Sequence, residues 1–84
     1  MMKRDVRSPV DALVYLVDCQ LATVEDVVRK RSSPQYAINR HISIAQQGVD
    51  WMRQHNVDFS STRAEYIVNN CGGSVVVWAA RYKV

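Results

Sequence analysis

Arg29, Lys30 and Arg31 stand in a row, and Gln35, Tyr36, Asn39 and Arg40 follow closely behind them. Guanidinium and ammonium groups meet phosphate oxygens as charged donors. Gln, Asn and Arg side chains carry donors and acceptors that match base edges in the major groove of duplex DNA. The chemistry open to this set is recognition of a polyanion, not the making or breaking of bonds. A solvated helix end is the plainer account of the three consecutive cations.

Elsewhere the reactive residue types are poorly spaced for chemistry. His41 and His55 do not have the i, i+4 spacing of a helical metal pair, and Cys19 and Cys71 form no C-x-x-C. Gly72-Gly73 lacks the rest of a phosphate loop and reads as a helix stop. Asp50 and Asp58 flank no base or nucleophile. The expectation is no enzyme, no catalytic residue, no metal ligand and no cofactor.

The elements that position the polar cluster follow from periodicity. The chain has 84 residues, enough for one domain (1–84), with 1–7 as a loose basic terminus. Ser8-Pro9 starts a first helix, whose apolar face holds Val10, Leu13, Val14, Val17 and Leu21. Leu16 and Cys19 widen that face, so this helix should be well buried. Thr23 begins a second helix through Arg31, with Glu25 and Asp26 in its first turn. Ser32-Ser33-Pro34 then turns the chain into a long third helix, from Pro34 to about His55.

On that third helix Ile38, Ile42, Ala45, Val49 and Met52 share one stripe, and Ala37, Ile44, Gly48 and Trp51 share a second beside it. Neighbours should therefore pack on two sides, with a close approach at Gly48. The polar face holds Gln35, Asn39, Ser43, Gln46, Asp50 and Arg53. Val57 and Phe59 should tuck into the core. Thr62-Arg63-Ala64-Glu65 is a capping box for a short helix, stopped at Asn69–Gly73. The tract 75–82 carries three valines, which suit a strand, yet no partner strand exists and Ser74 suits a helix N-cap; helix is preferred. The fold class is all-α: four to five helices around the long central one, with a helix-turn-helix-like corner.

The tract TVEDVVRKRSSPQYAINRHI, residues 23–42, is similar to the helix-turn-helix of lactose-repressor-type regulators. Thr23, Asp26-Val27, Ile38 and the pair Asn39-Arg40 stand at matching offsets. The resemblance implies that Thr23 caps the first motif helix and that Val27 and Ile38 lock the two helices together. It implies Gln35, Tyr36 and Arg40 at the major groove and Arg29, Lys30 and Arg31 on phosphates. The sequence departs from the pattern where the family's turn glycine is Ser32 and the apolar residue after it is Ser33. The tracts DCQLATVE and ISIAQ resemble small phage or prophage proteins, which implies a bacterial or phage source and a regulatory or inhibitory role.

The formal charge is +3, which permits an acidic partner without demanding one. The partners left open are double-stranded DNA or, alternatively, a protein bound as by an adaptor or inhibitor, with a homodimer allowed. Lys3 and Arg4 before the apolar run 12–17, with Cys19 after it, have the outline of a lipoprotein signal, but Asp11 and Asp18 spoil it. No membrane segment is expected, and the location expected is cytoplasmic, with reduced thiols.

Overall fold

Ala22 is a strong helix former, and neither Gly nor Pro stands between Leu21 and Thr23. Nothing there stops a helix. The computed structural model describes residues 9–31, 33–60 and 62–82. In it α1 runs unbroken over Pro9–Lys30, followed by α2 (Gln35–Gln54), α3 (Arg63–Asn70) and α4 (Val75–Ala80). The protein is all-α, and no strand occurs among the described residues. The two helices expected before the corner are therefore one. Val14, Leu21, Val24 and Val28 form a single buried stripe across the junction, which a break at Thr23 would split. Thr23 Oγ1 instead donates to the Cys19 carbonyl at 3.1 Å, the back-bond of a helix-interior threonine. The loose terminus expected at 1–7, the cap at Ser8 and the turn position Ser32 lie outside the described residues.

The helices α1 and α2 form an antiparallel hairpin. Val17 meets Gly48, Gln20 bonds to His41 (Nε2 to Nδ1, 3.1 Å), and Val28 and Ile38 line one pocket beside the corner. A Cβ at Gly48 would lie 2.6 Å from Val17 Cγ2, so the glycine permits the close approach expected there. The main stripe of α2 is buried throughout: Ile38, Ile42, Ala45, Val49 and Met52. The second stripe is covered less completely, since Trp51 is half-buried and Ile44 is 50% exposed. Leu16 is 59% exposed and Cys19 is exposed too, contrary to the expectation of a well-buried first helix. The core lies on the side of α1 that carries Val14, Leu21, Val24 and Val28, and Leu13 and Leu16 turn away from it.

The remaining helices are held by polar side chains from the hairpin. Thr62 precedes α3, yet its hydroxyl donates to the Phe59 carbonyl instead of capping, so the capping box is not made by Thr62. Asp18 of α1 replaces it: Oδ1 accepts the Arg63 backbone N–H at 2.9 Å. The Arg63 guanidinium then reaches Asp18 and Glu25, each at 3.3 Å. Helix α3 stops as expected, with Gly72 and Gly73 at φ +64 and +81, and Gly73 donates to the Ile67 carbonyl at 3.0 Å. Gln46 was expected on the outer face of α2. It is half-buried, donating to the Gly73 carbonyl at 2.8 Å and accepting from the Val75 N–H at 2.7 Å. It thereby ties the α3–α4 turn to α2.

Ser74 caps α4 by accepting from Val77 N–H at 3.2 Å, as expected. The preferred helix at 75–82 is realised over Val75–Ala80, with Arg81 and Tyr82 in the following turn. Val75, Trp78 and Ala79 enter the core. Val57 and Phe59 pack against the same core from the α2–α3 connection, again as expected. In that connection the Ser60 backbone N–H, together with its hydroxyl, holds the Asp58 carboxyl below the usual carboxylate range.

Candidate nucleic-acid interface

The corner between α1 and α2 is built by an unusual backbone choice. Arg31 adopts φ +52, and its N–H closes α1 on the Val27 carbonyl at 3.0 Å. A left-handed conformation costs a residue with a Cβ about 1–2 kcal/mol, which glycine avoids. The chain has placed an arginine where that cost is met. Asn56 ends α2 in the same conformation, but asparagine tolerates it well. Pro34, extended at φ −65 and ψ 156, then opens α2, and its carbonyl accepts from Ala37 and Ile38.

Beyond Pro34 the first turns of α2 present Gln35, Tyr36, Asn39 and Arg40 to solvent, with Tyr36 74% exposed. Gln35 donates to Asn39 at 2.9 Å, so the two amides are oriented by each other. Ile38 is buried at the corner from α2. Its buried counterpart on α1 is Val28, whereas Val27 sits half-buried at the edge. The correction follows from the continuous α1 stripe, in which Val24 and Val28 hold the inward positions. Val28, Ile38, Arg31, Ser33 and Gln35 line an open pocket of about 280 Å³.

The cations of the corner are partly engaged. Arg29 pairs with Glu25 and Lys30 with Asp26, both at 3.3 Å. The Arg29 and Lys30 side chains are 62% and 66% exposed. Exposed pairs of this kind contribute at most about 1 kcal/mol, so a phosphate can compete for either cation. Glu25 also has a second partner in Arg63, which retains it if Arg29 turns outward.

Arg81, which sequence reasoning missed, and Tyr82, which it offered only as an aromatic interface anchor, complete the surface. The Arg29 guanidinium lies 5.2 Å from the centre of the Tyr82 ring, and Trp78 meets that ring edge-on at 5.3 Å. Arg81 stacks on Tyr66 at 5.3 Å and donates to its hydroxyl at 2.6 Å. Arg29, Arg31, Arg81 and Tyr82 line an open pocket of about 500 Å³. The sequence signal for Arg81 was an Arg-Tyr pair just past a helix end.

Charge is segregated among the described residues. The corner and the end of α4 hold Arg29, Lys30, Arg31, Arg40 and Arg81 against Glu25 and Asp26. The other described charges are Arg53 and Arg63 against Asp11, Asp18, Asp50, Asp58 and Glu65, the opposite balance. The sulfur and imidazole groups are spread over the fold: Cys71 is buried, Cys19 is exposed on α1, His41 bonds to Gln20 and His55 packs on Trp51 at 4.9 Å. Among the described residues no three His, Cys, Asp or Glu side chains converge on a metal-sized site. No helix among them is long and apolar enough to cross a membrane. No protein-family model matches the chain, and no similar curated protein or solved structure was found.

Proposed function

We propose that this chain is a small DNA-binding, transcription-regulating protein that meets duplex DNA with its basic end. The observation that carries this reading is the charge segregation: five cations against two carboxylates at the corner, with the balance reversed over the other described residues. A positive end among described residues that are otherwise acidic steers an anionic polymer to one surface. Arg29, Lys30, Arg31 and Arg81 take phosphates, and Gln35, Tyr36, Asn39 and Arg40 on the exposed start of α2 lie toward the groove. The continuous α1 departs from the short first helix of a helix-turn-helix, so the corner acts as a projecting hairpin tip. A cytoplasmic location, where thiols stay reduced, fits the free Cys19 and Cys71.

A mobility-shift titration with duplex DNA across a salt series tests this. Log affinity should fall linearly with log salt, with a slope of about −3 to −4 for three or four phosphate contacts. Absence of any shift at low salt would end the DNA reading.

A second reading, a protein-interaction module, rests on a separate surface. Leu13, Leu16, Val17 and Ile44 flank Gly48 in an open groove between α1 and α2, joined by Gln20 and Gln47 and, among the described residues, by no charged one. An uncharged face lets two molecules of like net charge approach, which favours a second copy as occupant. Sedimentation at rising concentration tests it: a dimer abolished by Leu16→Glu supports it, and an unchanging monomer removes it.

A further inference from the structure

We infer that the exposed ridge of α2 pairs with the same ridge of a second copy, antiparallel and centred level with Ala45; this rests on the second reading above, since the ridge borders the apolar groove. Tyr36, Arg40, Ser43, Gln47, Asp50 and Gln54 are all exposed and follow one another at steps of 4, 3, 4, 3 and 4 residues. Such steps keep side chains on one face of a helix and suit packing against another helix. The steps also read the same in both directions. An antiparallel copy therefore sets Arg40 opposite Asp50, Ser43 opposite Gln47 and Tyr36 opposite Gln54. A two-fold axis makes each of these contacts twice.

Charge selects this register. The ridge carries one cation and one anion, on opposite sides of its centre. Among the described residues Arg40 has no hydrogen bond or ion pair within its own chain. Asp50 is held by Gln46, whose amide donates to Oδ1 at 2.9 Å and leaves Oδ2 to an incoming guanidinium. A parallel pairing would set Arg40 and Asp50 each against its own copy, and a slip of one heptad would leave the charges without opposites. The flanks of the ridge are apolar: Leu16 and Ile44 on the α1 side are 59% and 50% exposed, and Val76 on the α4 side is 60% exposed. Under the two-fold each flank meets the same flank of the other copy, so these side chains leave water together. Arg40 and Tyr36 then serve the second copy, and Gln35 and Asn39 remain with the corner cations for DNA.

The test uses two charge reversals of the full chain, Arg40→Glu and Asp50→Lys, with sedimentation equilibrium as the readout. Each alone sets like charges opposite at both contacts and should self-associate at least about tenfold more weakly than the wild type. Mixed in equal amounts, the two restore opposite charges at both contacts, and a heterodimer should form about as readily as the wild-type dimer. Circular dichroism reports whether each variant keeps its helix content. Independently of any variant, diluting the wild type should shift the Arg40, Gln47 and Asp50 resonances together; if a reversal unfolds, these shifts decide alone. If the folded reversals dimerise as the wild type does, or their mixture stays monomeric, the register is wrong and the apolar-face reading stands. The same follows if dilution shifts Leu16 and none of the three ridge residues. If Leu16→Glu still dimerises while the reversals behave as expected, the ridge stands and the apolar-face reading falls. A wild type that stays monomeric overturns both.

Discussion

At the Lys30 end of the α1–α2 hairpin, Arg29 lies over the Tyr82 ring and pairs with Glu25, and Lys30 pairs with Asp26, each carboxylate one turn away. Earlier on the same helix, Leu13 and Leu16 face outward beside Ile44, and among the described residues no charged one lines the groove between them. The same two helices build both surfaces. At the corner, backbone strain at Arg31 and contacts from the distant α4 hold the side chains in place. On the apolar face, van der Waals contact of Val17 with Gly48 sets the spacing and leaves large side chains without cover. The corner depends on tertiary support, whereas the apolar face belongs to the hairpin alone. The two can therefore be broken separately.

The largest effect should come from Gln46→Ala. This removes the acceptor of the Val75 N–H and the donor to the Gly73 carbonyl. Leaving such partly buried groups unpaired should cost about 2 kcal/mol in chemical denaturation. It should also loosen Arg81 and Tyr82, weakening DNA binding while self-association through the apolar face persists. Equal loss at both surfaces would show that they are not independent.

Arg31→Gly sharpens the contrast. Relief of the left-handed strain and the greater freedom of an unfolded glycine oppose each other, so stability should change by less than about 1 kcal/mol. DNA affinity should nevertheless fall, with a shallower salt dependence. A gain in stability with full binding retained would mean that the arginine does not contact DNA.

Leu16→Glu should have the smallest effect on folding. Its side chain is mostly exposed, so thermal stability should stay within about 0.5 kcal/mol. Any assembly through the apolar face should disappear, and DNA binding at the corner should be unchanged if that assembly is not required for it. A parallel loss of DNA binding would show instead that a dimer is the binding species, as in many two-fold symmetric regulators.

Much of the fold was legible in the sequence. The buried stripe of α2, the close approach at Gly48, the glycine stop after α3 and the helical 75–80 tract all follow from periodicity and local turn chemistry. Thr23 misled because a capping-box pattern is local, whereas the apolar stripe running from Val14 to Val28 gains from an unbroken helix. Gln46 misled because a polar residue on a polar face reads as solvated until a turn from another part of the chain comes to rest on it. The cap of α3 was equally hidden, since Asp18 supplies it from a different helix.

The candidate interface divides in the same way. Arg29, Lys30, Arg31, Gln35, Tyr36, Asn39 and Arg40 are close in sequence, and a tight corner keeps them close in space. Arg81 and Tyr82 join them only through the packing of α4. What the sequence by itself determined is whatever depends on neighbours along the chain: helix periodicity, the corner at Pro34, the glycine stops and the basic run. Only the tertiary structure decided which aromatic rings hold its arginines and which apolar side chains stay uncovered. Those outcomes depend on pairs of residues far apart in the chain, whose meeting is set by the packing of whole helices and leaves no local pattern.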